Sequence, residues 1–188
     1  MTDYQIPSDA PTDVTYIKRL QIYVSGEQEG PLEDLRFHIY GFEEDDRKGP
    51  GKDVGANAID SHIQAFVDAA PDLPLPLERD PTQLDFSLEK PCCVVLKLIG
   101  RFWEFAPNPP SGPGQVIRTK NEHSDRRYRK LQQHLDRDGK LRAVSFYAQA
   151  IQPASANARH GINLYVDFIE GKYRLPTLID PDIENKGE

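Results

Sequence analysis

The chain has 188 residues, which is enough for one sizeable domain with a buried core. Its 16 prolines and 13 glycines favour short strands joined by turns over long helices. The net charge of −7 argues against nucleic acid as a partner of the whole surface, and no apolar stretch is long enough to cross a membrane.

Residues 1–13 are polar and acidic, which predicts a flexible N-terminal tail before one domain over residues 14–188. The tail lacks the basic start and the apolar core of a signal peptide. The only two cysteines, Cys92 and Cys93, are adjacent and cannot form an unstrained disulfide. We therefore expect a cytoplasmic protein without membrane association.

The first strands are predicted from alternating apolar and polar residues in YIKRLQIYVSG and DLRFHIYGF. Further along, CCVVLKLIG is almost continuously apolar and predicts a central strand that is buried on both faces. The segments RAVSFYAQA and HGINLYVDFIEG alternate again in the last third of the chain. The pattern is typical of a mainly β fold, and we predict a single-domain antiparallel β-sandwich.

Two segments have helical spacing instead, so the sandwich should carry one or two short helices. The first is IDSHIQAFVDAA, with Asn57 or Asp60 as a cap. Its predicted buried residues are Ile59, Ile63, Phe66 and Val67. The second is SDRRYRKLQQHLD, where Tyr128, Leu131 and Leu135 predict a short helix or a helical turn.

The segment TLIDPDIENKG places acids at alternate positions near the end of the sequence. On an edge strand, Ile179 and Ile183 would pack inward while the acids between them face water. Pro181 has no N–H to donate, so it would protect such an edge from pairing with another chain. This interpretation explains every residue of the segment without a ligand.

The alternative for the same segment is a metal site. Asp180, Asp182 and Asn185 are oxygen donors that lie close in sequence, and Ca²⁺ binds such ligands. The spacing is not that of an EF-hand, so further ligands would have to come from elsewhere. A glycosidase-like carboxylate pair is weaker still, because a row that faces solvent gives no reason for two different pKa values.

Two segments resemble known families. HGINLYVDF followed by LPTLIDPDIENKG is similar to bacterial proteins labelled nucleotide synthetase and, more distantly, to the inclusion-body protein family of PixA and AidA. The matching positions are His160, Gly161, Asn163, Leu164, Ile179, Asp180, Pro181, Asp182 and Asn185. The resemblance implies an all-β sandwich without established catalytic residues, and no motif in the sequence supports a synthetase activity.

Common catalytic motifs are absent from the sequence. GPGKDVG contains three glycines, but no strand leads straight into it, which favours a mobile surface loop over a phosphate cradle. No histidine pair has metal-ligand spacing, and no Gly-x-Ser-x-Gly turn is present. We therefore expect no cofactor, and a protein without catalytic activity is favoured.

One region has an excess of positive charge, with nine basic residues and four acids between Arg118 and Arg142. Its centre is a basic patch made of Arg126, Arg127, Tyr128, Arg129 and Lys130. Such a patch could bind phosphates with the tyrosine stacked on a base, or it could meet an acidic face of a second copy. A solvated helix face remains the plainest interpretation.

Four tyrosines are predicted on faces opposite the aliphatic rows: Tyr23, Tyr40, Tyr147 and Tyr165. They suit sugar stacking, a protein interface or ordinary cross-strand pairs, and we favour the pairs.

Together, these patterns favour a non-enzymatic cytoplasmic protein that self-associates or binds a protein partner through a β-sandwich surface. The alternative is a nucleotide- or sugar-binding, even hydrolytic, protein that uses the basic patch around Arg126–Lys130.

Overall fold

A computed structural model describes most of the chain. The described residues are 6, 8, 11, 13–25, 36–41, 46, 48–70, 86–100, 102–106, 116–120, 127–149, 159–179 and 182–185. Within them the protein is mainly β, with two sheets and one α-helix. The predicted fold class is therefore confirmed.

The strands follow one another along the chain with short elements between them. They are β1 (Tyr16–Ser25), β2 (Arg36–Gly41), β3 (Lys52–Asp53), β4 (Phe86–Leu88), β5 (Cys92–Ile99), β6 (Trp103–Phe105), β7 (Ile117–Thr119), β8 (Tyr128–Leu135), β9 (Leu141–Ala148), β10 (Arg159–Glu170), β11 (Tyr173–Ile179) and β12 (Asp182–Asn185). The helix α1 covers Ile59–Asp68 and directly follows a 3-10 helix at Ala56–Ala58.

The first sheet has the strand order β2-β1-β5-β9-β8, and β3 pairs with β1. Its pairs are antiparallel, as predicted, apart from β1 and β5, which run parallel from Tyr16 and Cys92 to Tyr23 and Ile99. A parallel pair needs a crossover connection, and the connection here includes α1. All eight residues of β5 are buried, which confirms the predicted central strand.

The second sheet is built around β10, which pairs with β11, β12, β6 and β7. Leu164 pairs with Ile179 and Gly161 pairs with Asp182, so β12 resumes the register of β11 with no residue gained or lost. The predicted strand character of the terminal segment is confirmed on both sides of residues 180–181. Its predicted edge position is wrong for β12, which also pairs in parallel with β4, whereas β11 ends the described strand order of this sheet.

A hydrophobic core fills the space between the two sheets. The first sheet contributes residues such as Leu20 and Val144, and the second contributes Trp103, Val166 and Ile179. Each of these side chains is almost fully buried, which stabilises the fold by about 1.5–3 kcal/mol for a typical large apolar side chain. Ile6 also lies in this core, while most of the predicted tail lies outside the described residues, so its flexibility stays a prediction.

The helix α1 packs on the outer face of the first sheet. All four of its predicted apolar residues are buried there against residues of β1, β5 and β9. The predicted caps are wrong, because the N-cap residue is Ala58 and it makes no side-chain capping hydrogen bond. No helix among the described residues is long and apolar enough to cross a bilayer.

The C-terminal end of α1 is capped from the sheet below. The ammonium of Lys97, a buried residue of β5, donates hydrogen bonds to the carbonyls of Phe66 at 2.9 Å and Ala69 at 2.5 Å. It also lies 5.6 Å from the centre of the Phe66 ring. A cation at this end of a helix is favoured by the helix dipole.

The second predicted helix is wrong, since Tyr128–Leu135 forms the strand β8. A bulge explains the misleading spacing. The pairing of β8 with β9 shifts between Arg129 and Gln132, and Lys130 has a φ of 48°. The extra residue lets Tyr128 and Leu131 both pack on the core although they stand three positions apart, which imitates helical spacing.

Candidate functional site

The second sheet carries polar residues on the face of β10 that is turned away from the core. The core residues Ile162, Leu164 and Val166 occupy every second position of this strand. Because successive strand residues face opposite sides, the residues between them share the outer face. They are Gly161, Asn163, Tyr165 and Asp167.

The neighbouring strand β7 and the residue that follows it add two cations beside this row. Arg118 is directly opposite Asn163 in the sheet. Lys120 follows it beside Gly161, whose carbonyl accepts the Lys120 backbone N–H at 3.0 Å. One end of the outer face therefore carries two cationic side chains.

The other neighbours complete what we call the polar face. Across β10, Glu104 of β6 is opposite Asp167, and Leu178 of β11 is opposite Tyr165. Arg174 of β11 forms an ion pair with the Asp167 carboxylate. The polar face thus comprises Glu104, Arg118, Lys120, Gly161, Asn163, Tyr165, Asp167, Arg174 and Leu178.

The polar face is more buried at its centre than at its β11 side. Arg118 and Asn163 are each 7% exposed, and Asp167 is 4% exposed. Leu178 is 49% exposed, and Lys120 and Tyr165 are half-buried. Burial of polar side chains is unfavourable unless they are hydrogen-bonded. The burial of three polar side chains on the outer face therefore distinguishes this part of the sheet from an ordinary solvated face.

The groups on the polar face have complementary chemistries. Arginine and lysine form charge-assisted hydrogen bonds with phosphate oxygens. An amide such as that of Asn163 both donates and accepts, which suits the polar edge of a base. The Tyr165 ring and the Leu178 side chain provide flat and apolar surface against which a base or sugar can pack.

The basic patch predicted from the sequence is divided by the structure. Tyr128 is 1% exposed and packs edge-on against Phe146, with ring centres 5.6 Å apart. It lies inside the sandwich because its position on β8 faces the core, so stacking on a surface ligand does not fit its location. Burial also raises the pKa of its hydroxyl.

Of the cations of the patch, Arg129 and Lys130 lie on β8 and Arg127 directly precedes it. Arg127 and Arg129 are half-buried, and the ammonium of Lys130 lies 5.6 Å from the centre of the Tyr147 ring. Arg126 lies outside the described residues. A ligand-binding role for these four cations stays a prediction.

A serine and a histidine meet under α1, but the serine is not exposed. His134 Nε2 lies 2.8 Å from the hydroxyl oxygen of Ser145, which is 0% exposed. Burial lowers the pKa of His134, and the negative charge of Asp60 opposes this shift. A serine that substrate cannot reach makes a structural hydrogen bond and is not a nucleophile.

The GPGKDVG loop contacts β1, and its mobility stays a prediction. The buried ammonium of Lys18 donates to the carbonyls of Asp46 at 2.6 Å and Gly49 at 2.7 Å. Gly51 has a φ of 84°, and a Cβ there would lie 2.6 Å from the Ile17 carbonyl oxygen. The loop directs carbonyl acceptors at a lysine, whereas a phosphate cradle directs N–H donors at its ligand.

The calcium interpretation of the terminal segment stays a prediction. Asp180 and the side chains of Asp182 and Asn185 lie outside the described residues. In the part of the chain that is described, no three histidine, cysteine, aspartate or glutamate side chains are grouped closely enough to hold a metal ion.

The sequence pattern of HGINLYVDF predicts the buried face of β10 from its apolar residues, but it does not predict the polar face. The polar half, read at every second position, contains Asn163 and Asp167, which are residue types common on solvated faces, so their burial is not visible in the sequence. Arg118 could not be assigned to them, since its pairing with Asn163 joins distant parts of the chain. Of the four tyrosines, Tyr147 and Tyr165 lie on different sheets, while the side chains of Tyr23 and Tyr40 lie outside the described residues.

A comparison with protein families extends the resemblance seen in the terminal segments. A family model described as predicted novel nucleotide synthetase matches residues 23–188. The chain belongs to this family. The family match includes every residue of the polar face, whereas the more distant resemblance to the inclusion-body proteins stays a prediction. No curated protein matches the chain.

Proposed function

We propose that this chain binds a nucleotide across the polar face of the second sheet. The observation that carries the proposal is the buried pair of Arg118 and Asn163 on the side of the sheet opposite the core. Half-buried Lys120 and Tyr165 flank this pair. The phosphate would contact the two cations, and the base would lie against Tyr165 with Asn163 at its polar edge.

The description of the family names the same class of molecule. The family is described as a predicted nucleotide synthetase, so nucleotides are the molecules that its description names. The proposal keeps the nucleotide-binding alternative that the sequence suggested and moves it from the basic patch on β8 to the polar face.

The test is a calorimetric titration of the full chain with nucleoside mono-, di- and triphosphates and with the matching nucleosides. Lys120→Met removes one cation from the polar face while keeping most of the side-chain length. We expect it to weaken nucleotide binding about tenfold, or about 1.4 kcal/mol, because one phosphate contact is lost. Binding of the nucleoside should be unchanged.

Lys130→Met is the matched control, because Lys130 is also a half-buried lysine but lies on β8 of the first sheet. We expect this variant to bind nucleotides as the wild type does. If Lys130→Met weakens binding and Lys120→Met does not, the site is the basic patch. If no nucleotide produces heat or a thermal shift, the proposed function is wrong.

Self-association through the first sheet remains a second proposal. Among the described strands β8 pairs only with β9. Arg129 and Lys130 lie at its start, directly after Arg127, and the 59% exposed Leu135 lies at its end. Edge cations and a bulge hinder direct strand pairing, so contact with an acidic face of another copy would use side chains. Light scattering across protein concentration should show assembly that salt weakens, and a monomer at every salt concentration would contradict this.

A further inference from the structure

Gly161 stands at the cationic end of the polar face, and its backbone does not require glycine. The described glycines with positive φ are Gly49, Gly51, Gly55, Gly100, Gly139 and Gly171, and Gly161 is not among them. A glycine inside a strand weakens it, and such a residue often marks a place where another group approaches closely.

The group that approaches Gly161 is the side chain of Lys120. A Cβ built at Gly161 would lie 2.6 Å from the Lys120 Cδ, 3.3 Å from its Cε and 3.4 Å from its Cγ. All three nearest atoms belong to the lysine. Gly51 differs in this respect, because a Cβ there would meet the backbone of Ile17.

The lysine stem therefore crosses β10 at the point where β10 has no side chain. Lys120 lies on one side of Gly161, where its N–H bonds the Gly161 carbonyl, and Asp182 pairs with Gly161 on the other side. The stem comes closest to Gly161 at Cδ, so the middle of the stem lies over β10. This is a shift of about one strand spacing, or about 4.8 Å, from the line of β7.

We propose that Gly161 is a positioning residue that holds the Lys120 ammonium over β10, where it sets the phosphate end of the polar face. The role of the ammonium as a phosphate ligand rests on the proposed function, but its position does not. The phosphate would lie by Lys120 and Gly161, and the base would lie four residues along β10 at Tyr165. Gly161 and Tyr165 are separated by about 13 Å along the strand.

The experiment compares Gly161→Ala with the wild type in three measurements. Alanine fits the backbone here, so we expect a melting temperature that is unchanged or higher. The added methyl displaces the Lys120 stem, so amine labelling of Lys120, followed by peptide mass spectrometry, should become faster and approach that of exposed Lys48. The affinity advantage of a nucleotide over its nucleoside should fall about tenfold, as in Lys120→Met.

A double-mutant cycle separates positioning from a general packing effect. In the Lys120→Met background, Gly161→Ala should cause no further loss of the nucleotide advantage, because both changes act through one ammonium. Additive losses in the cycle, or unchanged Lys120 labelling in Gly161→Ala, would overturn the inference. If Lys120 labelling is faster in Gly161→Ala but the wild type binds no nucleotide, the positioning role is supported and the proposed function is rejected.

A folding defect in Gly161→Ala is also informative. If the methyl clashes with the lysine, shortening the lysine in Gly161→Ala/Lys120→Ala should restore the wild-type melting temperature. If the double variant is as unstable as Gly161→Ala, glycine is needed for another reason and the inference is wrong.

Discussion

Lys97 offers a direct test of how the helix is held on the first sheet. Its ammonium is buried and bonds two carbonyls at the end of α1, those of Phe66 and Ala69. Lys97→Met keeps an unbranched side chain of similar length and removes only the charged donor. The two carbonyls then lose the donor that caps this helix terminus.

The expected loss follows from two opposing contributions. Hydrogen bonds from a charged group stabilise by about 1.5–3 kcal/mol each, so two contribute about 3–6 kcal/mol. Removing the ammonium also recovers the desolvation cost of a buried charge, which is several kcal/mol. We expect a net loss of about 2 kcal/mol, which lowers the melting temperature of a chain of this size by about 4–8 °C.

Urea unfolding followed by circular dichroism measures this loss, with Lys48→Met as the control. Lys48 is exposed, so its variant should stay within about 0.5 kcal/mol of the wild type. Hydrogen exchange should also become faster at the Ala69 amide, which bonds the Ala65 carbonyl at 3.0 Å. If Lys97→Met is as stable as the wild type, the two carbonyl bonds do no more than offset desolvation.

Two further predictions concern buried titratable groups. Burial lowers the pKa of His134 below its ordinary value of 6.5, so the unfolded chain takes up a proton first as the pH falls. The free energy of unfolding, measured in urea, should therefore decrease below about pH 6.5, and His134→Gln should make this decrease smaller. If the free energy of unfolding falls equally with pH in both proteins, the prediction is wrong. Burial raises the pKa of Cys92 to about 12 and also raises that of Cys93. Both thiols should react with a disulfide reagent such as DTNB only after unfolding, and native labelling at neutral pH would refute their burial.

The sequence was sufficient for the elements whose apolar pattern matches their burial. Ile59, Ile63, Phe66 and Val67 predicted α1 correctly because one face of the helix packs on the sheet. The run CCVVLKLIG predicted β5 because both faces of that strand are covered. In these elements local pattern and tertiary packing agree, so periodicity alone identifies them.

The sequence failed where spacing or pairing depends on distant contacts. The bulge at Lys130 changes the spacing of the core-facing residues of β8 from two positions to three at one point. This spacing resembles that of a helix. The sequence did not predict the polar face for another reason, because this face is assembled from residues of β6, β7, β10 and β11. Alternation along β10 shows which residues share a face, but it does not show which strands lie beside them.

The pairing of β4 with β12 affects how the protein is made in the cell. Phe86 pairs with Ile183, about half the chain away, so a ribosome releases β4 long before its partner exists. Contacts this distant slow folding, and an unpaired strand can bind the wrong partner while it waits. We therefore expect refolding to be slow, and yield to depend on protection of the nascent chain by chaperones.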